Sequence, residues 1–226
     1  MEINRETMNA SEFAYASLKE KILKLELLPG QKISEKSMSE ALNVSRTPVR
    51  EAFLKLKQLE LVDIFSQSGT FVSQIDLEHV HEAGFVRKNI ETSIIKIACE
   101  NFSEDSVITL HGNLSMQELY AAKDNKYKFF ELDEAFHKEI YYGCKKWRTW
   151  NMIQQMNTNY NRFRLLRLSL TEKLQWDVIL SQHKAIYSAI INKDSKLAVE
   201  FLDKHLNLME TESDILKKEY PSYFKN

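Results

Sequence analysis

The stretch Ser34-Glu35-Lys36-Ser37-Met38-Ser39-Glu40-Ala41-Leu42-Asn43-Val44-Ser45-Arg46-Thr47-Pro48-Val49-Arg50-Glu51-Ala52-Phe53 reads as two short helices with almost nothing between them. Ser34 has the side chain of an N-cap. Met38, Ala41 and Leu42 follow at helical spacing, and the first helix ends near Asn43. Ser45 reads as the next N-cap. Pro48 falls in the first turn, where a missing N–H costs least. Val49, Ala52, Phe53, Leu56 and Leu59 carry that helix on. Upstream, apolar residues at 15, 18, 22 and 25 mark another helix, which Pro29-Gly30 is expected to close. Downstream, Leu61–Phe65 and Thr70–Ser73 read as strands around Ser66-Gln67-Ser68-Gly69, a hairpin signal. Three helices, the last two tightly joined, and then a small hairpin predict a winged helix-turn-helix over residues 1–75.

Beyond Ile75 the period is helical throughout. Segments near 76–100, 103–123, 126–143, 146–168, 172–192 and 194–217 carry apolar residues three and four apart. Residues 76–226 are therefore expected to form an all-α bundle of six or seven helices, so the fold class is mainly α. Only 5 Gly and 3 Pro occur in 226 residues, which suits long helices and few tight turns. No apolar run is long enough for a membrane span. The opening MEINRETMNASEFAY lacks a basic-then-apolar leader pattern, and two cysteines make no disulfide framework. A cytoplasmic protein with no membrane partner is expected. The net charge of −1, and the 10 basic against 10 acidic residues of positions 1–75, give no general attraction to nucleic acid. DNA contact has to come from local placement of charge.

Arg46 and Arg50 are four residues apart and share a face near the start of the third helix. A recognition helix presents such residues to the major groove, where Arg grips guanine O6 and N7 or clamps a phosphate. Ser45 and Thr47 can donate to phosphates there, and Ser68, Gly69 and Thr70 at the hairpin tip can follow the adjacent groove. The same arginines also read as solvated surface residues.

A second constellation lies in the helical part. Asp133 and His137 share a helix face. His183 shares one with Ile186, Tyr187 and Ile190, and His205 with Ala198, Phe201, Leu202, Leu208 and Met209. Each histidine is either a satisfied core residue or one ligand of a shared cation, since imidazole with a carboxylate suits a divalent transition metal. Arg87 shares the inward face of Val80, Gly84, Ile90 and Ile94. A buried guanidinium needs an anion, which is Glu91 one turn on, an effector carboxylate, or both. Of Arg162, Arg164 and Arg167, most are expected on a solvated face, with Arg164 the candidate for the pocket. Tyr160 and Trp147 read as core.

The run Leu28-Pro29-Gly30 through Ala52 resembles the GntR family of bacterial transcription regulators, down to the order Leu42-Asn43-Val44-Ser45-Arg46-Thr47-Pro48-Val49-Arg50-Glu51-Ala52. The resemblance implies DNA contact by Arg46, Arg50 and the wing tip. Phe53 stands for the usual Leu. Glu60 stands for a common Gly that closes the recognition helix in a left-handed conformation, at a small expected cost in stability. Leu132-Asp133, Phe136-His137 and Ile140, then Gln182-His183-Lys184-Ala185-Ile186, then His205, resemble the FCD sensing domain of the FadR subfamily. Gln182 and Lys184 replace a frequent Glu and Arg. The resemblance implies a metal held by Asp133, His137, His183 and His205. Zinc is the first candidate, with nickel, iron or manganese as others. It also implies an effector near Arg87. The function expected is a homodimeric repressor on a double-stranded DNA operator, released by a small organic acid and with no enzymatic activity. Two alternatives are a regulator whose helical part is a metal-free dimerisation scaffold, and a helical metalloenzyme with Glu134 as its base.

Overall fold

A computed structural model describes residues 8–170 and 176–225. The chain begins with α1 (Ala10–Leu23), β1 (Lys32–Ile33), α2 (Glu35–Leu42), α3 (Arg46–Gln58), β2 (Val62–Phe65) and β3 (Gly69–Val72). Eight helices follow among the described residues: α4 (Leu77–Glu100), α5 (Glu104–Ala122), α6 (Lys126–Gly143), α7 (Trp147–Gln154), α8 (Asn157–Arg167), α9 (Trp176–Ile191), α10 (Ser195–Leu206) and α11 (Leu208–Glu219). A short 3₁₀ turn lies at Pro221–Tyr223. The described residues divide into two units. One holds those up to Leu77 together with those from Lys217 on, and the other is Glu78–Leu216.

The first unit is a winged helix-turn-helix. Asn9 caps α1 with a reciprocal bond to Glu12, and Ser34 and Ser37 cap α2 in the same way. Asn43 ends α2 in the left-handed region at φ 52°, which turns the chain into α3 within three residues. Ser45 makes no side-chain cap bond to α3. The third helical residue is Pro48, which has no N–H to give, so one of the two usual cap donors is missing. Ala14, Leu18 and Ile22 of α1 meet Val49, Phe53 and Leu56 of α3 and Leu42 of α2 in one core.

Pro29-Gly30 does not end α1. That helix stops at Leu23, Leu25 takes φ 57°, and Gly30 at φ 78° turns the chain into β1 instead. β1 makes the wing a three-stranded antiparallel sheet in the order β1-β3-β2, with Lys32 opposite Phe71 and Val62 opposite Val72. Two residues are too few for a visible alternation, so β1 is silent in the sequence. At the wing tip Gly69 has φ 112°, and a Cβ there would come within 2.9 Å of Lys32 Cε.

The last described residues, from Lys217 on, also belong to this unit. Ile75 bridges Phe224 in parallel, and the Gln74 side chain donates to the Ser222 carbonyl at 2.9 Å.

Glu60 has φ 55°, as its place in the helix-closing turn requires. Its amide still donates to Lys57, and that of Leu61 to Leu56. A left-handed non-glycine residue costs roughly 1–2 kcal/mol. Glu60→Gly is therefore expected to stabilise the chain by about 1 kcal/mol in chemical denaturation. An unchanged midpoint would mean that the backbone there carries no strain.

The second unit is all-helical. α5 packs on α6 and α9, and α9 on α10. Ile94, Ala98, Leu110, Phe136, Ile140, Ile186, Ile190 and Leu202 form its core. Two of the six periodic segments are each divided, at Gln155–Met156 and at Asn207. Gln155, Met156 and Asn207 keep right-handed helical dihedrals, and no Gly or Pro is present, so nothing local marks the breaks. Among the described residues the result is eight helices rather than six or seven. The segment expected from 172 is helical from Trp176; positions 172–175 lie outside the described residues. No helix of the described residues is long and apolar enough to cross a membrane.

Candidate functional site

Asp133 and His137 come from α6, His183 from α9 and His205 from α10. All four are buried, and one ligand atom from each lies within 4.8 Å of the others. What aims them is a set of partners behind the rings. His137 Nδ1 lies 3.0 Å from Glu91 Oε2, His183 Nδ1 2.8 Å from Gln117 Oε1, and His205 Nδ1 3.1 Å from Gln182 Oε1.

The His183 tautomer follows from a chain of donors. The Leu132 carbonyl can only accept, so Asn113 turns its amide nitrogen to it at 2.9 Å. Asn113 Oδ1 then accepts from Gln117 Nε2 at 2.7 Å, which leaves Gln117 Oε1 for His183. His183 Nδ1 must carry the proton, and Nε2 keeps a lone pair. That Nε2 is buried without a hydrogen-bond partner and faces Asp133 Oδ1 at 3.5 Å, acceptor against acceptor. Glu91 fixes His137 in the same sense, and His137 Nε2 lies 3.2 Å from His205 Nε2.

Electrostatics favour the ligand forms. Burial, reinforced by neighbouring histidines, holds His183 and His205 well below the ordinary imidazole range, so both are neutral at pH 7. Burial opposes ionisation of Glu91, yet Arg87 and His137 beside it hold its carboxyl down to about 2. Arg164 ion-pairs with Asp133 Oδ2 and with Glu134. It thereby occupies one carboxylate oxygen of Asp133 and leaves Oδ1 toward the histidines. Burial weakens the guanidinium's hold on its proton, but two carboxylates keep Arg164 charged.

Beside this cluster lies a cavity of about 30 Å³, lined in part by Asp133, His205, Tyr160, Arg164, Arg167 and Met209. Arg162, Arg164 and Arg167 are all buried, which corrects the expected solvated face. Arg167 pairs with Glu212 of α11. Tyr160 is buried and forms part of the cavity wall, whereas Trp147 is half exposed and is not core. Arg87 spends Nε on Glu91 at 2.7 Å and lays its guanidinium 4.9 Å from the Tyr160 ring. It does not line the cavity. Glu91 was visible only as a partner for Arg87. Its hold on His137, like those of Gln117 and Gln182 on their rings, depends on distant helices meeting.

In the other unit, Ser45, Arg46, Thr47 and Arg50 are exposed along the start of α3. Ser68 is exposed at the wing tip, with Gly69 and Thr70 partly so. Arg50 makes a two-pronged ion pair with Glu35, Nε to Oε1 at 2.7 Å and Nη2 to Oε2 at 2.8 Å.

A winged helix-turn-helix followed in the chain by an all-helical unit defines a class, the DNA-binding transcription regulators with a separate helical domain. Sequence profiles agree. Residues 10–72 match that of the bacterial regulatory proteins of the gntR family, and residues 82–208 match the FCD domain. The chain belongs to the GntR family, in its FadR-like branch, whose members here are regulators and not enzymes. It is 28% identical to the HTH-type transcriptional repressor RspR of Escherichia coli K12, over 96% of this chain and 95% of that one. It is 32% identical to an HTH-type transcriptional regulator in an unstable DNA locus of Streptomyces ambofaciens, over 93% and 87%. Its fold matches Escherichia coli McbR/YncC with a TM-score of 0.72 at 20% identity, covering 95% of this chain and all of that one.

Proposed function

We propose that the chain is a cytoplasmic, homodimeric transcriptional repressor that binds a divalent metal and a small organic acid in its helical unit. The observation that carries the metal is the convergence of acceptors. A buried His183 Nε2 lone pair faces a carboxylate oxygen, and His137 Nε2 faces His205 Nε2, with each Nδ1 engaged behind. Such an arrangement is costly unless a cation lies among the acceptors. Ligand atoms on one metal are about 3–4 Å apart, which the 3.2 and 3.5 Å separations match. Three nitrogens and one oxygen suit zinc first, then nickel, iron or manganese. Bound there, the metal supplies a Lewis-acid site for an effector carboxylate.

Asp133 and the three histidines hold the ion. Glu91, Gln117 and Gln182 orient the rings. Arg164 and Arg167 stand in the cavity wall, where Arg167 Nη1, buried without a hydrogen-bond partner, gives the effector carboxylate a donor. Arg87 acts through Glu91 and Tyr160. A cavity of about 30 Å³ holds roughly one water, so a larger acid enters as flexible walls such as Met209 move. On the DNA side, Arg46 and Arg50 read bases or clamp phosphates. Ser45, Thr47 and the wing residues Ser68, Gly69 and Thr70 position the duplex. A dimer places two such units on a pseudo-palindromic operator. Repression is supported by the relative RspR, a repressor. The effector acts by favouring one of two dimer geometries.

The test is metal content per chain, for protein purified without chelator or nickel resin. About one equivalent is expected, and chelation should change operator affinity. No metal, even after adding zinc, nickel or manganese, would leave the helical unit as a dimerisation scaffold.

A further inference from the structure

Glu35 is an acidic residue on a surface meant to meet a polyanion. It is the first residue of α2, and it reaches α3 to hold Arg50 by two parallel charge-assisted hydrogen bonds. Those bonds keep the Glu35 carboxyl below its ordinary range. The pair is not needed to join the two helices. Leu42, Val49 and Phe53 are buried between them, and an exposed ion pair adds little stability. Two-thirds of the Arg50 side chain is exposed.

We propose that Glu35 is a specificity-determining residue, which makes Arg50 read bases rather than clamp phosphates. A guanidinium has five N–H groups. Glu35 takes one on Nε and one on Nη2. Of the three left, two on Nη1 and one on Nη2, one from each nitrogen forms an end-on fork that matches guanine O6 and N7. A phosphate competing for Arg50 must instead approach the Glu35 carboxylate, and like charges repel at that range. The unit as a whole carries no net positive charge over residues 1–75. Its sequence-independent binding is therefore weak from the start, and Glu35 lowers it further at the one residue best placed to read sequence. Local charge placement thus trades affinity for discrimination.

This inference rests on the DNA-facing assignment of Arg50, and the experiment separates the two. The specific probe is the duplex that the wild-type chain selects from a random-sequence pool; the non-specific probe is the unselected pool. Glu35→Gln should bind the pool at least five-fold more tightly, with a salt slope steeper by about one phosphate contact. The ratio of specific to non-specific affinity should fall at least ten-fold. Glu35→Asp should restore part of that ratio, and Glu35→Gln should have no effect on it in an Arg50→Ala background. Thermal melts confirm that each variant is folded. Arg50→Ala by itself should cost at least ten-fold in specific affinity; an unchanged value removes Arg50 from the interface, and this proposal with it. If Arg50→Ala weakens binding but Glu35→Gln leaves the ratio within two-fold of wild type, the role of Glu35 is overturned alone. A Glu35→Gln effect that persists without Arg50 also overturns it, because Glu35 would then act as a bare charge.

Discussion

Zinc affinity is expected to fall at least about a hundred-fold when His183 is replaced by Ala, since even residues that only orient a ligand are worth 10–100-fold. His183 is fully buried. Its ring stacks on Phe136 with centroids 4.3 Å apart, and Gln117 holds its Nδ1. Removing the ring also opens a cavity in the core, so a second variant is needed. His183→Phe keeps a ring on Phe136 and removes both nitrogens, and it should lose zinc to the same extent. The measurement is competition with a chromophoric chelator, beside the thermal midpoint of chelated protein. If His183→Phe binds zinc as the wild type does, the four residues are not a metal site, and His183 is a core histidine.

Glu91→Ala should destabilise the helical unit by about 3–5 kcal/mol, the cost of leaving a buried charge without its partner. Arg87 is 1% exposed and Glu91 4%. Arg87 is buried, and its first counter-charge would be gone. Denaturant titration of chelated protein reads this directly. A loss under about 1 kcal/mol would mean that Glu134 takes over the guanidinium. The pH dependence gives an independent check. The Glu91 carboxyl is lowered from 4.5 to about 2 in the folded chain. A lowered carboxyl adds stability that is fully present above its unfolded value and is lost as pH falls through its folded one. The wild type should therefore lose this contribution between about pH 4.5 and 2, and the Ala variant should not show that step. Because Glu91 also orients His137, the variant should bind zinc more weakly as well, about 10–100-fold. That second effect separates a residue serving the site from one serving only the fold.

Both results bear on α4. One face of it buries Arg87 and Glu91 among Val80, Ala83, Ile94 and Ala98. The same helix begins at Leu77, five residues after the last wing strand. The carboxylate that holds the His137 ring and the wing are thus joined along one continuous stretch of backbone, the shortest covalent route by which a change at the cluster would bias the DNA-binding unit.

Sequence by itself determined the local elements. Ser34, Asn43 and Pro48 mark the helix ends through backbone chemistry, and the three/four spacing of Val49, Ala52, Phe53 and Leu56 marks the buried face. Glu60 could be read as a strained left-handed residue because its conformation is set by the few residues around it. Asp133 and His137 could be put on one face for the same reason. The tertiary structure decided everything that needs two distant segments to meet. It brought Glu91, Gln117 and Gln182 behind the histidines, buried the arginines of α8, broke two long periodic segments without a Gly or Pro, and added β1 to the wing. A helical period says which residues turn inward. It carries no information on which inward residue of another helix stands opposite, because that depends on packing angles and on side-chain volumes summed over the whole core. Hydrogen-bond partners, tautomers and the pairing of buried charges are all decided at that level.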